Sequence, residues 1–399
     1  MKTPQVVVAN AGKHIVYHTA LGVQRLGFLK QFVTTFYYKP CTLSGQLLSR
    51  FVPEAVLFNR YEPELRSELI TSNWLPEVLN RGLRALQVPK KLINRDWVYS
   101  VSFDYWAARY VKGCDAFIGR GGCCLASMRE AQRQGAVKIL NQLTMHPVVW
   151  NSILKEEYQR YGKENLNFLD ALEQRMVEEI ALADWILVPS EGVYNSFLSA
   201  SVSREKLVLI PFGVSTDSFR PLPKQDDCFR ILYVGSLALH KGVQYLLEAY
   251  QQLDIPNSEL VLIGYPEPEF LPILKAYSRP YTHIPYIPHR RLAEYYSNAS
   301  VFVLPSLGES WGAVCLEAMA CGKPVIVTAN SRSVVSDGED GFVIPIRDVG
   351  ALTETIRLVY EDSDLRSKMG QCARKRVEAF TWESYYHRLG MFLTQILGL

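Results

Sequence analysis

Two glutamates with seven residues between them, Glu309 and Glu317, sit in the string PSLGESWGAVCLEAMACGKPVIV over residues 305–327. The string reads as strand end, glycine loop, helix, glycine turn and strand. Gly308 and Gly312 let the loop backbone come close to a ligand. The loop runs into a helix beginning near Ala313, where free N–H groups and the helix dipole favour an anion. Glu317 lies about one turn inside, where its carboxylate can accept hydrogen bonds from vicinal hydroxyls such as a ribose diol. A second string, YVGSLALHKGVQYLLEAYQQL over residues 233–253, has Gly235 closing a strand and Lys241-Gly242 opening a helix. A lysine at a helix entry neutralises phosphate as a point charge. Two spaced glutamates or one Lys-Gly pair would describe a solvated surface equally well; their setting in strand–loop–helix units gives them weight.

Other chemistry-bearing residues stand after strand-like runs. Arg120-Gly121-Gly122 follows residues 116–118, and His146 follows residues 137–140. Gly12 and His14 lie in the loop after the first apolar run, and His14 and His18 have a spacing that suits either a helical metal pair or the lining of that loop.

These loops need a scaffold. Residues 5–9 (QVVVA) and 230–234 (RILYV) each read as the first strand of an α/β unit, followed by a glycine loop and an amphipathic stretch, over 21–36 and 242–253. Further β-like runs fall at 260–263, 283–286, 301–304, 324–328 and 341–344, with helical patterns such as 292–297 and 313–320 between them. The first half alternates more weakly, with strands at 116–118, 137–140, 185–188 and 207–210, and residues 38–99 give mixed signals. Alternation of strand and helix predicts parallel sheets covered on both faces. Pro221, Pro223 and the polar run 224–227 read as linker, so the predicted domains are 1–215 and 216–382. The amphipathic stretch after Thr381 forms a last helix, over about 383–399.

The 399 residues suit two domains. Eight cysteines without a CxxC pair exclude a zinc ribbon and read as reduced thiols, which fits a cytoplasmic protein. Neither a signal core nor a run long enough to span a membrane occurs. Charge is uneven: residues 1–150 hold 19 Lys and Arg against 9 Asp and Glu, the remainder 24 against 31. A basic first half can attract anionic lipid or a phosphorylated substrate, or be a solvated surface of chance asymmetry. Neither strand-to-helix loop carries GxGxxG, and no GxxxxGK[ST] is present, which disfavours a Rossmann oxidoreductase and a P-loop kinase.

Gly235, Lys241-Gly242, Leu262-Ile263-Gly264 and Glu309 with Glu317 together resemble the family 4 glycosyltransferases, retaining enzymes of the GT-B fold. The resemblance covers residues 183–389 well and the first half loosely. It implies two Rossmann-like domains facing across a cleft, with the last helix crossing back to the first. The acceptor would bind the first domain, near Gly12, His14, Arg120 and Gly121, with His146 at the cleft. The second domain would bind the donor. Glu317 would hold its ribose; Glu309 with Ser310, Trp311, Gly312, Ala313 and Val314 would orient its sugar and phosphates; Lys241 would bind the diphosphate beside Gly235, Ser236 and Gly264. Glu309, Lys241 and His146 are the implied catalytic set. The chemistry implied is metal-independent, retaining transfer of a hexose from a nucleotide sugar such as a UDP- or GDP-sugar, which serves as co-substrate with no further cofactor. The acceptor would be a carbohydrate, lipid-linked or glycolipid molecule, in cell-envelope, exopolysaccharide or glycolipid synthesis. Nucleic acid is not an expected partner; a peripheral contact with the anionic inner face of a membrane is. Two positions depart from the family: Ser236 stands where it often has arginine, leaving Arg290 and Arg291 as substitute cations, and Ser215 follows Gly213-Val214 where it usually has aspartate. The Ser236 departure keeps a non-catalytic sugar-nucleotide-binding or scaffold protein as the alternative. Asp362-Ser363-Asp364 matches the DxD pattern of metal-dependent glycosyltransferases but follows a helical stretch, so it reads as a solvated turn.

Overall fold

The computed structural model describes residues 3–12, 15–58, 60–87, 93–163 and 171–399. Its first domain opens with β1 (Val6–Asn10), α1 (Val16–Arg25) and β2 (Leu29–Thr34). Then come α2 (Leu43–Leu48), α3 (Glu54–Phe58), β3 (Ile70–Ser72), α4 (Leu75–Ala85) and α5 (Arg95–Ala107). The domain continues with β4 (Ala116–Arg120), α6 (Leu125–Arg133), β5 (Val137–Asn141), α7 (Pro147–Arg160) and α8 (Ala171–Leu182), and closes with β6 (Trp185–Val188), α9 (Glu191–Ser199) and β7 (Leu207–Leu209). All seven strands are parallel, in the order β3-β2-β1-β4-β5-β6-β7. Strand β1 sits at the centre, and its five residues are all buried, as the unbroken apolar run VVVA demands of a strand covered on both faces.

The second domain holds β8 (Phe229–Val234), α10 (Val243–Gln252), β9 (Ser258–Ile263), α11 (Leu271–Ala276), β10 (Thr282–Ile284) and α12 (Leu292–Asn298). It goes on through β11 (Val301–Leu304), α13 (Ala313–Ala320), β12 (Val325–Thr328), β13 (Gly341–Ile344), α14 (Val349–Glu361) and α15 (Ser363–Val377). Its six strands are parallel in the order β10-β9-β8-β11-β12-β13. In both sheets the order reverses beside the first strand, between β1 and β4 and between β8 and β11. Such switch points are where open α/β sheets bind ligands, at the carboxyl ends of the strands. The two-domain α/β architecture expected from the sequence is therefore present.

The last helix, α16 (Trp382–Ile396), returns to the first domain and packs on α1. The His18 ring stacks on Trp382 at 3.5 Å and its Nδ1 lies 2.7 Å from the Tyr386 hydroxyl. Thr19 and Tyr385 share a buried hydroxyl contact of 2.8 Å. Where the chain crosses between domains its two passages touch: Val214 N–H donates to the Phe380 carbonyl at 3.0 Å. A second bridge is α7, whose wholly buried Glu157 carboxylate accepts from Gln244 Nε2 (2.7 Å), the Tyr245 hydroxyl (2.8 Å) and Arg347 Nε (2.7 Å), all in the second domain.

Two sequence readings change. Residues 21–36 do not form a helix: α1 begins earlier and stops at Arg25, Gly27 turns the chain with φ +74°, and the next six residues pair with β1 as β2. Leu29, Phe32 and Val33 satisfy a helical period, but the glycine turn and the free flank of β1 decide otherwise. Residues 38–99 resolve into three short helices, a three-residue strand and α5; α2 and α4 leave apolar side chains exposed, which blurred the pattern. Asp362 is exposed at the junction of α14 and α15, as a solvated turn requires, and also caps α15, accepting from Leu365 N–H at 2.7 Å. All eight cysteines are free thiols, and no helix among the described residues is long and apolar enough to cross a membrane.

Candidate active site

The loop between β11 and α13 is the best-braced element at the second switch point. Thr328 donates to the Ser306 carbonyl at 2.5 Å, Asn330 Nδ2 to Leu307 O at 2.7 Å, and Ser331 to Leu304 O at 2.9 Å. Glu309 N–H in turn donates to the Asn330 carbonyl at 3.2 Å. These bonds fix where the Glu309 carboxylate stands: it forms an ion pair with Lys241 and accepts from Ser306 at 3.2 Å. Lys241 is delivered by the turn before α10. Gly242 there has φ +68°, and a Cβ would lie 2.0 Å from the Pro305 carbonyl oxygen, so only glycine lets the two loops meet. The two motifs, 68 residues apart in sequence, thus become one charged pair.

Helix α13 begins at Gly312, in the left-handed region, and no side chain caps it. Its first amides are orphan helix N–H donors, the kind of group that can receive an anion. Glu317, one turn further on, is buried; it accepts from the Tyr296 hydroxyl at 2.9 Å, and His289 Nε2 lies 2.8 Å from its other oxygen. Its carboxylate is thereby oriented on two sides. Gly235 and Gly264 close adjacent strands, and a Cβ at Gly264 would lie 1.8 Å from the Gly235 carbonyl. The Ser236 carbonyl accepts from the Tyr233 hydroxyl at 2.8 Å. Of the substitute cations, Arg291 pairs with Glu294 at 3.2 Å.

Two donor-side residues also make contacts at the junction of the domains. The Trp311 side chain is buried and packs edge-on against Phe212 and at a tilt against Phe380, in the two crossing passages, so its ring serves the domain junction. Ser310 offers its carbonyl to the Ser190 hydroxyl of the first domain at 2.7 Å. Ala313 and Val314 supply the first amides of α13.

On the first domain, Gly12 (φ +85°) ends the β1 loop and donates its N–H to Thr35 at 2.8 Å. Arg120 reaches the Ala11 carbonyl at 3.2 Å and, with Gly121, lines a cavity of about 320 Å³ shared with Asp96, Trp150 and Glu173. His14 lies outside the described residues. His18 is not in the cleft: it is spent on α16, which removes the helical metal pair. His146 precedes α7; its ring is buried edge-on to Phe197 at 5.1 Å, its Nδ1 has no hydrogen-bond partner among the described residues, and burial lowers its basicity. Its neighbours Met145 and Trp150 are the residues that face Gly308 across the cleft.

Sequence reasoning missed four residues here. His240 is half-buried, edge-on to Trp150 of the first domain, and desolvation with the Lys241 charge pushes its pKa down to about 4. Tyr296 and His289 orient Glu317, and Ser190 pins Ser310. His240 adjoins a motif and His289 adjoins the named arginines, so proximity was their one signal; Tyr296 and Ser190 had none.

Residues 214–376 match the family model for glycosyl transferases group 1. The second domain is thus similar to the group 1 glycosyl transferases. The chain is 28% identical over 263 residues to the capsular polysaccharide biosynthesis glycosyltransferase CapM of Staphylococcus aureus, covering 56% of this chain and 66% of that one. It is 29% identical over 233 residues to a D-inositol 3-phosphate glycosyltransferase of Streptomyces avermitilis, covering 51% of this chain and 50% of that protein. The chain thus spans about half to two thirds of the length of these curated relatives. Among solved structures, sucrose-phosphate synthase from Thermosynechococcus elongatus superposes with a TM-score of 0.65 at 22% identity, over 99% of both chains. HepE of Anabaena, in complex with UDP, gives 0.67 at 13% identity over 98% of this chain and all of that one. The fold of the whole chain is GT-B.

Proposed function

We propose that this protein is a metal-independent, retaining glycosyltransferase that moves a hexose from a nucleotide sugar to a carbohydrate or lipid-linked acceptor. The observation that carries the reading is the convergence of Lys241, Glu309 and the uncapped start of α13 beside a pre-oriented Glu317. In this reading Glu317 holds the ribose hydroxyls, Lys241 and the α13 amides hold the diphosphate, and Glu309 orients the sugar. The bond from the anomeric carbon to the diphosphate oxygen breaks, the acceptor oxygen bonds to that carbon on the same face, and the acceptor proton passes to the departing phosphate. Preorganised positive charge on the leaving group is the main protein contribution. A diphosphate would draw Lys241 from Glu309 and free that carboxylate for sugar hydroxyls. Similarity to group 1 glycosyltransferases and to a GT-B structure holding UDP supports the donor class; the CapM likeness favours polysaccharide synthesis.

The first domain supports a lipid-linked acceptor presented by an anionic membrane face. Leu43, Phe51, Trp74, Leu75 and Val78 are exposed around α2 and α4. Beside them a groove of about 390 Å³, lined by Leu48, Val52 and Val78, ends on Arg60 and Glu77. Glu77 accepts from Thr35 at 3.1 Å, and Thr35 holds Gly12, so the groove leads toward the loop after β1. Arg50, Arg81 and Arg84 add the charge that anionic lipid attracts.

The test is a screen of UDP-, GDP- and ADP-sugars without metal, read by thermal shift and nucleotide release, with Glu317→Ala as control. Stabilisation by one donor, absent in the variant, is expected; no response from folded protein would overturn the reading. Flotation with neutral and anionic vesicles tests the membrane part, which equal recovery on both would refute.

A further inference from the structure

A second concave site lies away from these residues, at the amino-terminal ends of strands β8, β11 and β12. It is an open cavity of about 650 Å³ between the end of α13, the start of α15 and the connector that enters the domain. That volume is typical of small-molecule sites. Four cations line it, Lys224, Lys323, Arg366 and Arg374, against one carboxylate, Asp227.

Local structure accounts for part of this charge. Arg366 caps the end of α14 through Val359 O (2.6 Å) and Tyr360 O (3.0 Å), and Arg374 caps α13 through Ala320 O (2.7 Å) while pairing with Glu378 at 3.1 Å. Cations at helix carboxyl ends complement the dipole. Lys224 bonds the Cys228 carbonyl at 2.6 Å and Ser300 at 3.1 Å. Capping does not account for Lys323. Among the described residues no carboxylate pairs with it or with Lys224 or Arg366, and its strongest charged neighbours are those same two cations; burial and that repulsion bring its pKa down to about 8. Three cations gathered at one cavity, with Asp226, Asp227 and Asp362 near them but none within pairing distance, favour an anionic occupant. Sequence placement adds a second point. Lys224 belongs to the interdomain connector, and Arg374 also holds the connector carbonyls of Thr216 (3.3 Å) and Phe219 (2.9 Å).

We propose that this cavity binds a phosphate-bearing small molecule, its phosphate held by Lys224, Lys323 and Arg366. An occupant ties the connector to the body of the second domain, so the site is placed to respond to a metabolite at the hinge rather than to take part in transfer. The reading is independent of the chemistry proposed at Lys241.

The test titrates inorganic phosphate and glucose 6-phosphate into the full chain by calorimetry, for wild type, Lys323→Met, Lys224→Ala and Lys241→Ala. Lys323→Met keeps the side-chain volume and removes an uncompensated charge, so it folds at least as well as wild type; Lys224 is exposed, and its loss is tolerated. The expected result is one-site binding that Lys323→Met and Lys224→Ala each weaken by about tenfold and that Lys241→Ala leaves unchanged. Tighter binding of glucose 6-phosphate than of phosphate would identify a sugar phosphate as the occupant, and equal binding the phosphate group alone. Absence of binding, loss in Lys241→Ala only, or retention in both hinge variants would overturn the proposal.

Discussion

Two glycine-rich strand-to-helix turns occupy equivalent switch points, and they treat their helix amides in opposite ways. At the start of α13 no side chain caps the helix, and the nearest carboxylate, Glu309, is held by Lys241. At the start of α6 the chain supplies its own anions. Wholly buried Glu179 accepts from Gly122 N–H (2.5 Å) and Cys124 N–H (2.9 Å), and Asp104, also buried, accepts from Ala126 (2.6 Å) and Ser127 (2.9 Å) while paired with Arg175. The α6 turn is therefore already neutralised and serves stability; the α13 turn keeps its amides for something else. The same backbone motif in two halves of one molecule thus occurs once closed by the chain's own carboxylates and once without a side-chain cap.

The comparison can be broken most directly at Lys241. Lys241→Ala is expected to lower kcat/KM by about 100- to 1000-fold, about 3 to 4 kcal/mol of barrier, with an unchanged melting temperature; steady-state kinetics and calorimetry check both halves. Asp104→Ala should do the reverse. It leaves Arg175 and two α6 amides unpaired in a dry environment, an expected loss of about 3 kcal/mol in urea unfolding, with donor affinity little changed in the molecules that remain folded.

Glu157→Gln sharpens the contrast by loosening the halves without touching either turn. Removing the buried charge beside Arg347 should cost about 2 kcal/mol of interdomain contact, visible as a larger radius in small-angle scattering. His18 reports on the α1–α16 junction through pH. Burial lowers its pKa from 6.5 to about 4, so the unfolded chain takes up a proton in that window that the fold refuses. Its contribution is complete above pH 6.5 and is lost as pH falls toward 4, by about 2 kcal/mol given its partial exposure. His18→Phe should flatten this share of the acid limb in denaturation curves. The smallest effect is expected at Gly312→Ala: the left-handed backbone is strained by about 1 kcal/mol, yet the nearest neighbour of the new Cβ is 3.5 Å away. A drop in donor affinity larger than the drop in stability would mark the α13 amides as the binding group.

Much of the second domain was legible from local pattern alone. Strands β11 and β13 and helix α13 fall on the residues their apolar runs and glycine stops indicate; β11 and most of α13 are buried, so their composition needs no partner to explain it. The first domain was less legible. Helices α2 and α4 point apolar side chains outward, against the rule that separates helix faces, and β2 carries a period that suits a helix equally well.

The sequence by itself determined two parallel α/β units, the linker near residue 220, and the types of residue a phosphate and a diol require. These are short-range matters: periodicity, glycine and proline stops, and a charge at a helix entry. The tertiary structure decided which of those residues meet. It joined Lys241 to Glu309, set Tyr296 and His289 on Glu317, withdrew His18 and the Trp311 ring into packing, and filled one helix start with Asp104 and Glu179 while leaving the other open. Those outcomes depend on contacts between residues tens to hundreds of positions apart, and on which buried charge finds a partner, neither of which any local stretch of sequence contains.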